Sequence, residues 1–174
     1  MKSVNKILIG TSGWNYKHWR GSFYNDNIKQ KNWLEYYSKK FSTVEINNSF
    51  YNLPEESTLK YWKETVPDSF LFSVKASRYI THMKKLKGAE EPLNRFLKRI
   101  SVLENKLGPV LFQLPPRWHI NRDRLTGFLD LLSQDFRYVF EFRDNSWWDE
   151  SVYQLLHEYN AAFCIFDLNR RLSP

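Results

Sequence analysis

Seven polar side chains fall at matching places in a repeating pattern. Glu45, Asn47, Lys75, Gln113, Glu141, Arg143 and Asp167 each lie toward the end of a short apolar run. Carboxylates and cations crowded into a low-dielectric site perturb one another's proton affinity, and acid–base chemistry collects at such places. Glu45, Lys75, Glu141, Arg143 and Asp167 are therefore the candidate catalytic groups. A lysine beside carboxylates can serve as a base, an electrophile or a Schiff-base amine, and nothing in the sequence separates these roles. Glu45 and Glu141 also read as the carboxylate pair of a metal-independent carbohydrate or small-molecule enzyme, which needs about 5–10 Å between carboxyl groups. The same residues read equally as ion pairs, Glu45 with Lys75 and Glu141 with Arg143, that neutralise an enclosed interior.

A second group points to binding. Gly10 and Gly13 flank Thr11 and Ser12 directly after an apolar run. Such a turn aims backbone N–H groups at an anion. It is neither a G-x-G-x-x-G fingerprint nor a P-loop, so no nucleotide cofactor follows. Trp14, Trp19, Trp118, Trp147 and Trp148, five of the seven tryptophans, all lie in segments that follow the runs. Arg78, Lys84, Lys85 and Lys87 share segment 78–88 with no acid, and Arg117, Arg122 and Arg124 follow the fourth run. Aromatic rings interleaved with cations suit stacked bases and phosphates; the competing reading packs the tryptophans onto the body of the protein. The ligand-binding candidates are Thr11, Ser12, Trp14, Asn47, Tyr51, His82, Gln113, Trp118 and Trp147. The net charge of +7 biases encounters toward anions. The expected partner is an anionic ligand, with single-stranded nucleic acid as the leading case.

Other chemistries find less support. His18, His82 and His119 occur in no H-x-H or H-E-x-x-H spacing, and Cys164 stands alone. No metal site and no cofactor are predicted. A G-x-S-x-G elbow is absent, which argues against a serine hydrolase. Cys164 lies in an apolar run and reads as a small buried hydrophobe. A single cysteine, no signal-like leader and no apolar run near 18 residues predict a cytoplasmic protein without a membrane span.

The elements that must hold these groups alternate. Runs 7–10, 43–47, 70–75, 110–114, 138–143 and 162–167 are β-branched and aromatic, as strands are. Between them lie stripes of helical spacing, the longest through Leu93, Phe96, Leu97, Ile100, Leu103 and Leu107. Gly108 and Pro109 read as the stop of that helix. Six strands alternating with five helices predict a parallel sheet with right-handed crossovers. Along each strand the apolar and polar residues take opposite faces: Val44 and Ile46 against Glu45 and Asn47, Phe140 and Phe142 against Glu141 and Arg143. A sheet covered by helices on both faces would be apolar on both. One polar face, richest at the C-terminal ends, fits the mouth of a TIM-type (β/α) barrel instead.

The stretches Ile9-Gly-Thr-Ser-Gly-Trp14, Trp19-Arg-Gly21, Thr43-Val-Glu-Ile-Asn47 with Phe50-Tyr51, Phe72-Ser-Val-Lys-Ala76, Thr81-His82, Lys106-Leu-Gly-Pro109 with Gln113-Leu-Pro-Pro116, and Phe140-Glu-Phe-Arg143 occur in this order. Together they resemble the YecE-like family, a bacterial domain of unknown function. The resemblance implies a TIM-barrel-like fold and a site at these residues, but no reaction. Family members often carry His-Pro-Ser-Trp after the last stretch, where this chain has Asp144-Asn-Ser-Trp147. They are also longer. The expectation is one α/β domain over residues 1–174, an incomplete (β/α) barrel of about six of eight units that lacks its last two strands. Its open edges would favour self-association. Three functional readings stand: a protein that binds, and in one version processes, nucleic acid or another phosphate-bearing ligand at the mouth; the carbohydrate or small-molecule enzyme; and a non-catalytic fragment.

Overall fold

The computed structural model describes residues 7–168 and 171–174. Six strands form one parallel sheet: β1 (Gly10–Thr11), β2 (Thr43–Ile46), β3 (Leu71–Lys75), β4 (Leu107–Leu114), β5 (Tyr138–Phe142) and β6 (Ala162–Phe163). They neighbour one another in chain order, β1 through β6. A doubly wound sheet would reverse that order at its centre. The crossovers contain α1 (Trp33–Ser38), α2 (Glu56–Thr65), α3 (Glu90–Ile100), α4 (Arg122–Leu129) and α5 (Glu150–Glu158). A separate antiparallel hairpin pairs β7 (Asp167–Leu168) with β8 (Arg171–Leu172).

Period-two alternation decides what each strand buries. Val44, Ile46, Phe72, Val74, Phe112 and Phe140 are buried in one core together with the apolar stripes of α2 to α5. Phe112 stacks on Phe140 at 5.2 Å and meets Phe128 of α4 edge-on at 5.0 Å. The intervening residues point to the other face, and register sets Glu45 beside Ser73 and Gln113 beside Glu141. Local signals fix the helix ends. Asp149 accepts from the Ser151 N–H at 2.9 Å and Asn121 from the Arg124 N–H at 3.0 Å, each capping its helix. α3 opens on Glu90 and Glu91 and closes on Lys98 and Arg99, matching its dipole.

Three boundaries differ from the sequence expectation. α3 stops at Ile100, and a 3-10 segment (Ser101–Lys106) with Glu104 at φ 51° leads into β4. Gly108 and Pro109 therefore lie inside a strand and do not cap a helix. A Cβ on Gly108 would sit 3.0 Å from the Phe72 carbonyl oxygen, a tight contact where β4 passes β3. β1 begins at Gly10, three residues later than its apolar run. β6 ends at Phe163, since beyond it the chain pairs with Ser173: the Phe166 N–H donates to Ser173 Oγ at 2.8 Å and the Ser173 N–H to the Phe166 carbonyl at 2.9 Å. Asp167 consequently lies in the hairpin and not on the parallel sheet. No helix among the described residues is long and apolar enough to cross a membrane.

Candidate functional site

At the C-terminal ends of β1 and β2, Ser12 Oγ donates to Glu45 Oε1 at 2.7 Å, and Asn47 Nδ2 contacts the same hydroxyl. Glu45 and Asn47 are half-buried and share the polar face. Thr11 turns the other way. Its N–H donates to the Tyr37 hydroxyl at 2.9 Å, and its own hydroxyl donates to the Gly13 carbonyl at 2.6 Å. Thr11 thus ties the first loop to α1, and the amide expected to face an anion is already used.

The next strand brings Lys75. Its Nζ lies 5.0 Å from the centroid of Phe50, a cation–π contact. Among the described residues no carboxylate forms an ion pair with it. His82 meets Phe50 edge-on at 5.0 Å, with Nδ1 2.9 Å from the Thr81 hydroxyl. Burial lowers the His82 pKa, and the charges of Arg78 and Lys75 lower it further. Ser49 Oγ donates to the Lys75 carbonyl at 2.6 Å and ties this strand to the segment after β2. Tyr51, 80% exposed, packs its ring against Phe50 at 4.9 Å.

On β4 and β5, Glu141 is only 4% exposed. Oε2 accepts from Gln113 Nε2 at 3.0 Å and Oε1 pairs with Arg143 Nε. The Arg143 guanidinium lies over the Phe166 ring, 4.5 Å from its centroid. Oε2 is hydrogen-bonded and Oε1 lies in ion-pair contact with Arg143 without a hydrogen bond, an arrangement that suits a buried ion pair better than a solvent-exchanging proton donor. Cys164 faces this cluster half-buried, not fully buried as expected. Desolvation, then the charges of Glu141 and Glu45, push its thiol up to about 11. Asp167 is exposed on the hairpin.

The tryptophans correct the sequence reading most. Trp147 is 0% exposed and Trp118 7%. Their rings meet at 5.2 Å, and Trp147 Nε1 donates to the Trp118 carbonyl. They pack the loops after β4 and β5 onto the core and offer no face to a ligand. Trp14 is half-buried against Trp62 of α2 at 4.8 Å. It still borders a pocket of about 290 Å³ with Tyr16, Glu45, Asn47, Asn48 and Trp62. Sequence reasoning missed Phe50, Tyr16, Asn48 and Trp62, because a helical position or an uncharged loop residue carries no signal of proximity. Arg78, Lys84 and Lys87 are exposed on the segment after β3. No group of three or more His, Cys, Asp or Glu side chains placed to hold a metal occurs among the described residues.

An all-parallel sheet in chain order, with polar strand ends over a single-sided core, defines the class. The chain belongs to the family described as protein of unknown function DUF72, whose profile matches residues 8–174. Particular relatives include the UPF0759 protein YecE of Escherichia coli K12, 31% identical over 146 residues, which are 79% of this chain and 48% of that protein. The UPF0759 protein YunF of Bacillus subtilis 168 is 28% identical over 156 residues, 85% of this chain and 54% of its own. The chain thus spans about half the length of these relatives. The crystal structure of a DUF72 family protein from Thermotoga maritima superposes with a TM-score of 0.81 at 29% identity, covering 96% of this chain and 68% of that one. A DUF72 family protein from Enterococcus faecalis gives 0.72 at 20% identity, covering 96% and 66%, and shares the fold.

Proposed function

We propose that the six strands are staves of an incomplete TIM-type barrel, and that its C-terminal mouth binds a phosphate-bearing ligand at Lys75. The curvature is supported by electrostatics. Glu45 on β2 acts on Cys164 just past β6, although four strand spacings in a flat sheet amount to roughly 19 Å. Curling of the sheet would bring the ends of β2 and β6 toward one interior.

The observation that carries the binding proposal is Lys75: a half-buried cation at a strand end, seated over Phe50, with no ion-paired carboxylate among the described residues. Glu141 and Arg143 pair with each other and Glu45 accepts from Ser12, so among the described residues Lys75 is left without a direct ion-pair partner. His82, whose pKa is lowered first by burial and then by the charges of Arg78 and Lys75, lies within reach of the same two cations. An anion placed there would also gain the exposed cations of the following segment. The pair Glu45 and Glu141 supports a carbohydrate-cleaving reading less well, since both Glu141 oxygens are engaged.

Whether the phosphate belongs to a small molecule or to a single-stranded nucleic acid is a matter for titration. A strand should bind with a log–log salt slope of about −0.7 per phosphate neutralised, flattened by replacing Lys84, Lys85 and Lys87 with Ala. A small phosphate should respond to that triple change much less than a strand does, and be lost with Lys75→Ala. Oligonucleotide and inorganic phosphate titrations at several salt concentrations decide between them; no binding of either at low salt would overturn the proposal.

A further inference from the structure

The pocket of about 290 Å³ at the ends of β1 and β2 differs in chemistry from the Lys75 site on the neighbouring strand. Aromatic rings of Trp14, Tyr16 and Trp62 line it, and Glu45 is its only charged lining residue. A phosphate has no counter-charge there. What the pocket offers is flat apolar surface and acceptor atoms. Glu45 uses Oε1 on Ser12, and among the described residues Oε2 makes no hydrogen bond. Asn47 spends Nδ2 on the same hydroxyl, which leaves its Oδ1 as an acceptor. The Asn48 amide adds a group of either polarity at the exposed rim.

Register sets the two sites on neighbouring strands. Ile46 pairs with Val74, so the next residues along, Asn47 and Lys75, lie at adjacent strand ends, about 5 Å apart across the ladder. A ligand with a phosphate at Lys75 can therefore place its next ring in the pocket.

We infer that this pocket is a base subsite: it takes a nucleobase that carries N–H donors, so that the ligand of the mouth is a nucleotide or a nucleotide unit. The inference rests on the phosphate reading of Lys75. A base supplies the planar face that the aromatic walls stack on. Its amino and ring N–H groups are the donors that Glu45 Oε2 and Asn47 Oδ1 require. Adenine, guanine and cytosine carry an exocyclic amine with two N–H donors; uracil offers only its N3–H, flanked by two carbonyls. Two neighbouring acceptors thus discriminate against uridine nucleotides, because a uracil that donates N3–H to one acceptor turns a carbonyl toward the other.

The test is calorimetric titration of the protein with AMP, GMP, CMP, UMP, glucose 6-phosphate and inorganic phosphate. At least one amino-bearing nucleotide should bind about ten-fold or more tightly than inorganic phosphate, with UMP weaker than it. Glu45→Gln should erase most of the preference over UMP, and Trp62→Phe should weaken the nucleotide while leaving inorganic phosphate unchanged; circular dichroism checks that both variants fold. If every phosphate compound binds alike, the subsite is refuted while the phosphate reading stands. If glucose 6-phosphate binds best, the pocket is a sugar site and the inference fails. If none binds and Lys75→Ala changes nothing, the phosphate reading itself falls.

Discussion

Tryptophan is where residue type and residue role part company in this protein. Trp147 has the composition of a base-stacking platform and the environment of a core residue, wholly enclosed and stacked on Phe142 at 5.0 Å. Trp147→Ala should lower stability by about 3–5 kcal/mol in urea denaturation, as large core deletions do, whereas His119→Ala, at an exposed site, should cost almost nothing. Equal effects would place Trp147 at the surface. His82 supplies a second test. Its folded pKa lies below the ordinary value of about 6.5, so the unfolded chain takes up its proton first as pH falls. The contribution of a neutral His82 is complete above the unfolded pKa. It erodes as pH drops below about 6.5 and is gone once pH passes the folded value. The urea midpoint should therefore fall between about pH 7.5 and pH 5.5, and fall less in His82→Gln. Identical pH dependence in the two proteins would remove His82 from the account.

At the scale of elements, alternation carried most of what could be read in advance. Val44 against Glu45, or Phe140 against Glu141, needs only the period of a strand to assign faces, and the core and the polar face follow. Chain order with single crossovers then places those polar residues side by side. The misses share a cause: they depend on tertiary partners. Asp167 left the sheet because the backbone at Phe166 pairs with Ser173. Gly108 looked like a helix stop and serves instead where two strands come close. Lys106 is 6% exposed and its ammonium donates to the Lys63 and Val66 carbonyls at 2.8 and 2.7 Å, closing the end of α2. Nothing local marks such a position. Gly10 makes the contact between β1 and β2 testable. A Cβ there would meet the Thr43 carbonyl oxygen at 2.2 Å, so Gly10→Ala must push the two strands apart. Hydrogen exchange should show faster exchange in β2 of the variant, with α4 and β5 unaffected; unchanged protection in β2 would mean that β1 contributes nothing to it.

For the whole molecule, the described sheet has β1 and β6 as its edges, each paired on one side only. Ile165 is 68% exposed and Leu172 66%, beside the β6 edge. Unpaired edges bordered by apolar side chains invite association. Sedimentation velocity of this chain should show a weight-average coefficient that rises with concentration, and a strictly monomeric profile would contradict it. Lys75, at the C-terminal end of β3 and over the Phe50 ring, is the proposed anion site of the molecule. Isothermal titration with inorganic phosphate at low ionic strength, on the wild type and on Lys75→Ala, tests it most directly. The account predicts saturable binding by the wild type, weakened at least ten-fold in Lys75→Ala with the melting temperature preserved. Binding of equal strength in both proteins, or none in the wild type, would contradict it.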